Sequence, residues 1–250
     1  MPDKENVVLI QPVGAIEQHG PHLPLIVDAA IGVAVLGKAL SKLDGSGVPA
    51  YALPPLYYGK SNEHWHFPGT ITISAQTLLA TLTEVAESLY RAGFRKLVLM
   101  NSHGGQPQVM EIVARDLHVK YEDFLVFPLF TWRVPNITGE LLSPKEKQLG
   151  IHAGDAETSL MLSILPAQVK MEAAVAEYPF GLPEDSLLTM EGKLPFAWTT
   201  RDLSHTGVLG DPTVATKEKG DRILESVSDG WVQVIKDIYA FRQPQAWQQS

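Results

Sequence analysis

Short apolar runs alternate with longer stretches of helical period along the first two-thirds of the chain. Val7-Val8-Leu9-Ile10, Val48 to Leu53, Leu97-Val98-Leu99-Met100 and Phe124 to Phe127 are brief and rich in branched or aromatic residues, as buried strands require. Between them, Asp28 to Leu43 predicts a helix. Leu78, Leu79, Leu82, Val85, Ala86 and Leu89 then fall on one face of a second, with Ser74 as its N-cap and Gly93 as its stop. Val109, Ile112, Val113 and Leu117 mark a third. Strand and helix in this rhythm predict right-handed βαβ units and a mainly parallel α/β sheet covered on both faces. Ligands of such sheets bind beyond the carboxyl ends of the strands.

The later chain is less regular. Gly154 to Leu165 predicts a helix ended by Pro166, and Ile223, Val227, Trp231, Val234, Ile235 and Ile238 define a closing amphipathic helix. Residues 176–212, with Pro179, Pro183, Pro195 and Pro212, read as an excursion or lid within a single domain spanning 1–250, because no second core follows them. The tail QPQAWQQS is polar apart from Trp247 and is expected to fray.

Composition narrows the chemistry. Twenty Lys+Arg against 28 Asp+Glu give a formal charge of −8, which argues against a binder of nucleic-acid phosphates. The longest apolar stretch, Ala29 to Gly37, ends at Lys38, far short of the roughly 20 residues a membrane span needs. The N-terminus lacks the basic start and long apolar core of an export signal, so a cytoplasmic protein is expected. There is no cysteine, so a metal site would be built from Asp, Glu and the eight histidines.

Three clusters carry such groups. Glu17 and His19 follow the first strand, two residues apart and so on one side of an extended chain, with Asp28 further on at the start of the next helix. Taken alone, Asp28 is better read as a helix N-cap; three such groups after one buried strand favour a metal or acid–base site. Asn101-Ser102-His103-Gly104-Gly105-Gln106 follows a second strand, and its glycines let a substrate or metal approach the backbone closely. His152-Ala153-Gly154-Asp155-Ala156-Glu157 opens a helix; the macrodipole accounts for the carboxylates but not for the histidine ahead of them. Together these donors suit a pair of Zn²⁺ or Mn²⁺ ions, and a two-metal centre that activates water and polarises a carbonyl suits amide hydrolysis.

Over nearly its full length the chain resembles the creatininase (creatinine amidohydrolase) family. The resemblance rests on PVGAIEQHGPHLPLIVD (12–28), YGKSNEHWHFPGT (58–70), NSHGGQ (101–106), HAGDAETS (152–159) and GVLGDPTVAT (207–216). It implies a three-layer α/β/α sandwich and a centre of two divalent ions, zinc or manganese with iron as a further option. A homo-oligomer, hexameric in some members, and a small-molecule amide substrate are also implied. On this likeness Glu17 and Asp28 hold one ion. His19, His103 and Asp28 hold the other, with Asp28 bridging. His152 is the general base or acid, Ser61 contacts substrate, and His64 matches the family pattern.

The chain departs from creatinine-hydrolysing members where they carry a bulky residue and then a metal-binding carboxylate after the histidine. Here Gly104 and Gly105 stand. An aromatic expected before the HAG segment is also missing, at Lys147-Gln148-Leu149. Glu157 is the expected replacement ligand. Members with the Gly-Gly form act on a formamide or a modified peptide terminus; Lys60, Lys193 and Arg201 are the basic groups nearest the motifs in sequence, each better read as a solvated surface charge than as a substrate contact. The remaining histidines read as supporting groups: His22 orders the ligand loop, His118 faces solvent, and His205 could enter the site from the lid. The expected function is therefore metal-dependent hydrolysis of a non-peptide or cyclic amide C–N bond. The competing class is a non-catalytic metal-binding or scaffold protein that keeps the fold.

Overall fold

The computed structural model describes residues 3–180 and 186–243. Pro183 and the tail that carries Trp247 lie outside the described residues. Four parallel strands, β1 (Val8–Val13), β2 (Ala50–Ala52), β3 (Lys96–Asn101) and β4 (Leu125–Phe130), form one sheet in the order β2-β1-β3-β4. Every residue of β1 and β3 is buried, which is why both read as continuous apolar runs.

Alternation along these strands assigns the helices to faces. Val8, Ile10, Val98 and Met100 pack with α1 (Val27–Leu43), α6 (Asp155–Ile164) and α8 (Lys217–Ala240). Leu9, Val13, Leu97 and Leu99 pack with α2 (Ala75–Arg91) and α3 (Pro107–Lys120). The result is the expected three-layer α/β/α arrangement. Its largest fully buried side chain, Trp231 of α8, donates its indole N–H to Thr131 O at 3.1 Å.

Local signals behave as their chemistry requires. Ser74 caps α2 by accepting from Thr77 N, a bond worth about 1 kcal/mol. Lys96 is a lysine in a buried strand because its ammonium donates to Ile238 O and Tyr239 O at the end of α8 and to Phe241 O just beyond it. Two expectations change. Ile112 is 50% exposed, outside the stripe of Val109, Val113 and Leu117. His118 is half-buried against Phe124 O rather than free in solvent.

Between α3 and α6 lie two short helices, α4 (Thr138–Leu141) and α5 (Pro144–Leu149); α7 (Thr200–Leu203) lies in the excursion. Described parts of that excursion are tied down, Leu209 bridging to His152 and Gly210 to Glu177. Glu177 accepts from the hydroxyls of Ser204 and Thr206 and the backbone N–H groups of His205 and Thr206. Partial burial opposes ionisation of Glu177, but these four donors bring its pKa down to about 2. No helix among the described residues is long and apolar enough to cross a membrane.

From β1 the chain moves to β2 on one side, then returns past β1 to β3 on the other. That reversal opens a crevice at the carboxyl ends of β1 and β3. The two loops that carry Glu17 with His19, and His103 with Gly105, both start there.

Candidate metal centre

The loop after β1 folds back on the start of α1 because Gly14 has no side chain. A methyl there would lie 2.7 Å from the Ala29 Cα. This close approach brings Asp28 beside Glu17 and His19. Asp28 is not the N-cap of α1: Ile26 holds that position without a side-chain bond, and Asp28 turns from the first turn into the interior. At the start of α6 the two carboxylates part company. Asp155 pairs with the Lys219 ammonium at 2.7 and 2.6 Å, whereas Glu157 faces His19.

Four imidazoles share one arrangement. Each has one nitrogen held by a neighbouring oxygen and the other turned toward carboxylates. His19 donates from Nδ1 to Glu17 O at 3.1 Å, leaving Nε2 at 3.7 Å from Glu17 Oε1 and 3.9 Å from both Asp28 Oδ1 and Glu157 Oε1. His103 Nε2 bonds Lys60 O at 3.1 Å, and Nδ1 lies 3.1 Å from Glu17 Oε2 and 3.6 Å from Asp28 Oδ2. His152 Nε2 bonds Gln18 O at 2.7 Å, and His64 Nδ1 bonds the Thr200 hydroxyl at 2.9 Å. The free nitrogens of these two each lie 3.7 Å from Glu17 Oε1. For His19, His103 and His152 the outer partner is a carbonyl, which fixes the tautomer so that the inner nitrogen offers its lone pair, the usual support of a metal-binding histidine.

Lone pairs of imidazole and carboxylate thus converge with few protons between them. Among the described residues, His19 Nε2, Asp28 Oδ2 and Glu63 Oε1 are buried without a hydrogen-bond partner, an arrangement that is costly unless a cation supplies the missing charge. The same tension displaces the acidities of these groups. Burial, then the Glu17 charge, raises Asp28 well above the usual carboxylate range, and burial also raises Glu157. Burial opposes ionisation of Glu17 too, but His103 outweighs it by charge and hydrogen bond and holds the group well below its ordinary value. His103 is displaced well upward, Glu17, Glu63 and Asp28 overcoming its burial. Burial lowers His19 well below its usual value, and brings His64 to about 3 and His22 to about 4.

Among the described residues, three donor groups come close enough to hold an ion: His19, Asp28 and Glu157; Glu17, Glu63 and His103; and Glu17, His19 and His152. Oxygen and imidazole donors without sulfur suit Zn²⁺ or Mn²⁺, so the residues fit the metals expected from the sequence.

Every candidate ligand therefore gathers at one place: Glu17, His19, Asp28, His103, His152 and Glu157. Ser61 is fully buried, and its hydroxyl donates to Glu17 Oε2, which sets it to orient that carboxylate. His64 is drawn in and held by Thr200 of α7, so the excursion does reach the site. Gly104 is exposed beside the cluster. His22 bonds the Thr158 hydroxyl of α6 at 2.9 Å, tying the ligand loop to that helix. Arg201 and Lys193 are exposed and Lys60 pairs with Glu63, while His205 stacks on Phe180, with 4.7 Å between centroids, and does not join the site. Sequence reasoning missed Glu63 and Thr200. Glu63 carries no mark except its place beside His64, and Thr200 none.

A family profile, Creatininase: creatinine amidohydrolase, matches residues 1–235. Among curated relatives, the mycofactocin precursor peptide peptidase of Mycolicibacterium smegmatis is 33% identical over 233 residues, 92% of this chain and 84% of that protein. The creatinine amidohydrolase of Pseudomonas putida is 31% identical over 250 residues, 94% of this chain and 90% of that protein. Among solved structures, a manganese form of creatininase aligns at TM-score 0.75 and 30% identity, covering 94% of this chain and 91% of its own. A zinc–zinc form of a creatininase variant aligns at TM-score 0.73 and 29% identity, with the same coverage.

Proposed function

Because the chain belongs to the creatininase family of metal-dependent amidohydrolases, we propose that it hydrolyses a C–N bond in a non-peptide or cyclic amide at a centre of two divalent ions, zinc or manganese. The observation that carries this reading is the position of Asp28. One of its oxygens faces His19 Nε2 and the other faces His103 Nδ1, as a bridging carboxylate must. His19, Asp28 and Glu157 would hold one ion, and Glu17, His103 and Asp28 the other. Such a pair, when bound, activates a water molecule and polarises the scissile carbonyl.

The protein's own groups prepare that chemistry. His152 sits between the rings of His19 and His64, 4.2 and 4.1 Å away, with Nε2 anchored on Gln18 O. Its Nδ1 is then the atom that takes a proton from the attacking water and returns it to the leaving nitrogen. Ser61 holds Glu17 and Thr200 holds His64, so neither has to be ordered during the reaction. Gly104 and Gly105 line the approach to His103.

A second reading, cleavage at a peptide terminus, draws support from the same glycines and from the peptidase among the relatives. Among the described residues, a methyl on Gly104 would meet no closer atom than Glu191 Oε1 at 3.4 Å, so there is room beside His103 for a group larger than this glycine. Turnover of the metal-loaded protein on creatinine, a formamidopyrimidine, cyclic imides and small peptides separates the two. Hydrolysis of the first three supports the amide reading, and hydrolysis of peptides alone transfers the site to the second. No turnover on any of them, in protein that holds both ions, favours a non-catalytic scaffold. The same preparation on a sizing column tests for a homo-oligomer.

A further inference from the structure

Glu63 is a buried carboxylate outside the ligand set above. It sits on a short helical turn, Asn62–His64, and reaches across the crevice to the loop after β3. Its two oxygens live differently. Oε2 accepts from the Lys60 ammonium at 2.9 Å. Oε1 lies 2.9 Å from His103 Nε2, but that ring hydrogen is directed at Lys60 O, so among the described residues Oε1 has no hydrogen-bond partner. A salt bridge to Lys60 needs only one oxygen and leaves the other unexplained.

Gly105 supplies an independent observation. Its backbone is not in the left-handed region, so conformation does not demand glycine there. Space does. A methyl at 105 would lie 1.6 Å from Glu63 Oε1 and 2.6 Å from His103 Nε2. The side-chain volume of residue 105 is thus taken by the Glu63 carboxylate, held against His103. Glu63, Glu17 and His103 also bring one donor atom each within 4.8 Å of one another.

We propose that Glu63 is a ligand of the ion held by Glu17 and His103, and that residue 105 is glycine so that this carboxylate can enter. The assignment rests on the two-ion reading above. It makes the site a joint product of two loops, since the donor comes from the 58–70 segment while the room for it comes from the loop after β3.

The test is metal content, measured by elemental analysis after dialysis of the full chain reconstituted with Mn²⁺, together with the Mn²⁺ electron-spin signal. Wild type should retain two ions per chain, and Glu63→Gln one, with an unchanged far-ultraviolet spectrum. Gly105→Ala should behave like Glu63→Gln, because the added methyl displaces the carboxylate. Lys60→Met should keep both ions, since it removes only the salt bridge. Glu63→Asp, which keeps the charge but withdraws it, provides a second probe and should weaken the more labile ion by about tenfold or more. Two ions retained at wild-type affinity in Glu63→Gln or Glu63→Asp would overturn this assignment alone. Loss of an ion in Lys60→Met would also overturn it, by making the salt bridge the operative contact. A wild-type protein that holds fewer than two ions would overturn the two-ion reading itself.

Discussion

Two clusters of buried carboxylates flank the start of α6, and they differ in how their oxygens are satisfied. Asp155 and Glu146 form the first. Asp155 accepts from Lys219 and from the Ser159 hydroxyl at 3.1 Å, while Glu146 accepts from Asp155 N, Asp211 N and the Tyr178 hydroxyl. Burial and the bond to Glu146 push the Tyr178 phenol up to about 12, as expected of a proton held by an anion. Glu157, two residues on, belongs to the second cluster, where Asp28, Glu63 and His19 keep buried atoms without partners. The first cluster is complete as it stands and ties α5, α6 and α8 together. The second is coherent only with cations. Burial alone does not separate a structural carboxylate from a functional one; the identity of its partners does.

That contrast can be broken by mutation. Asp28→Asn should have the largest effect on function, lowering kcat/KM by about 10³-fold or more, roughly 4 kcal/mol of transition-state stabilisation, while the protein without metal melts no lower than wild type. A fall in its melting temperature would move Asp28 into the structural class. Glu146→Ala should do the reverse. It leaves two backbone N–H groups and a tyrosine hydroxyl without their acceptor, and urea unfolding should show a loss of about 3 kcal/mol or more. Unchanged stability there would dissolve the distinction between the clusters.

Smaller effects sharpen it. Glu157→Gln should cost one ion by elemental analysis and raise the stability of the metal-free chain slightly, because burial and Glu17 already disfavour the ionised form. Glu177 gives the mildest test, with a definite sign. Its pKa is depressed in the fold, so its contribution is full above the ordinary glutamate value near 4.5 and is lost as pH falls through about 2. Stability measured across that window should lose part of its slope in Glu177→Gln, and an unchanged slope would show that the four donors hold nothing.

Much of the scaffold was legible because its signals are local. A strand buried on both faces shows itself as an unbroken apolar run, as in Leu97 to Met100, and a capped amphipathic helix as Ser74 followed by a leucine stripe. Glu17 and His19 were legible from their spacing after a strand. Asp28 was ambiguous, since a carboxylate at a helix start serves equally as cap or ligand until the fold shows which way it turns. Glu63 was legible only as one residue of the 58–70 segment, with nothing to single it out as a site group. Its importance depends on a glycine 42 residues away, and a glycine in a sequence shows that room exists without showing what fills it. His205 looked equally free to enter the site, yet its ring had a nearer partner in Phe180.

The central claim, a catalytic centre of two ions, is tested most directly by titrating chelated protein with Mn²⁺ while following bound metal and turnover together on whichever substrate is hydrolysed. The account predicts no turnover without metal, two ions bound per chain at saturation, and activity that returns with the second. Activity that survives exhaustive chelation, or full activity with a single ion, would contradict it.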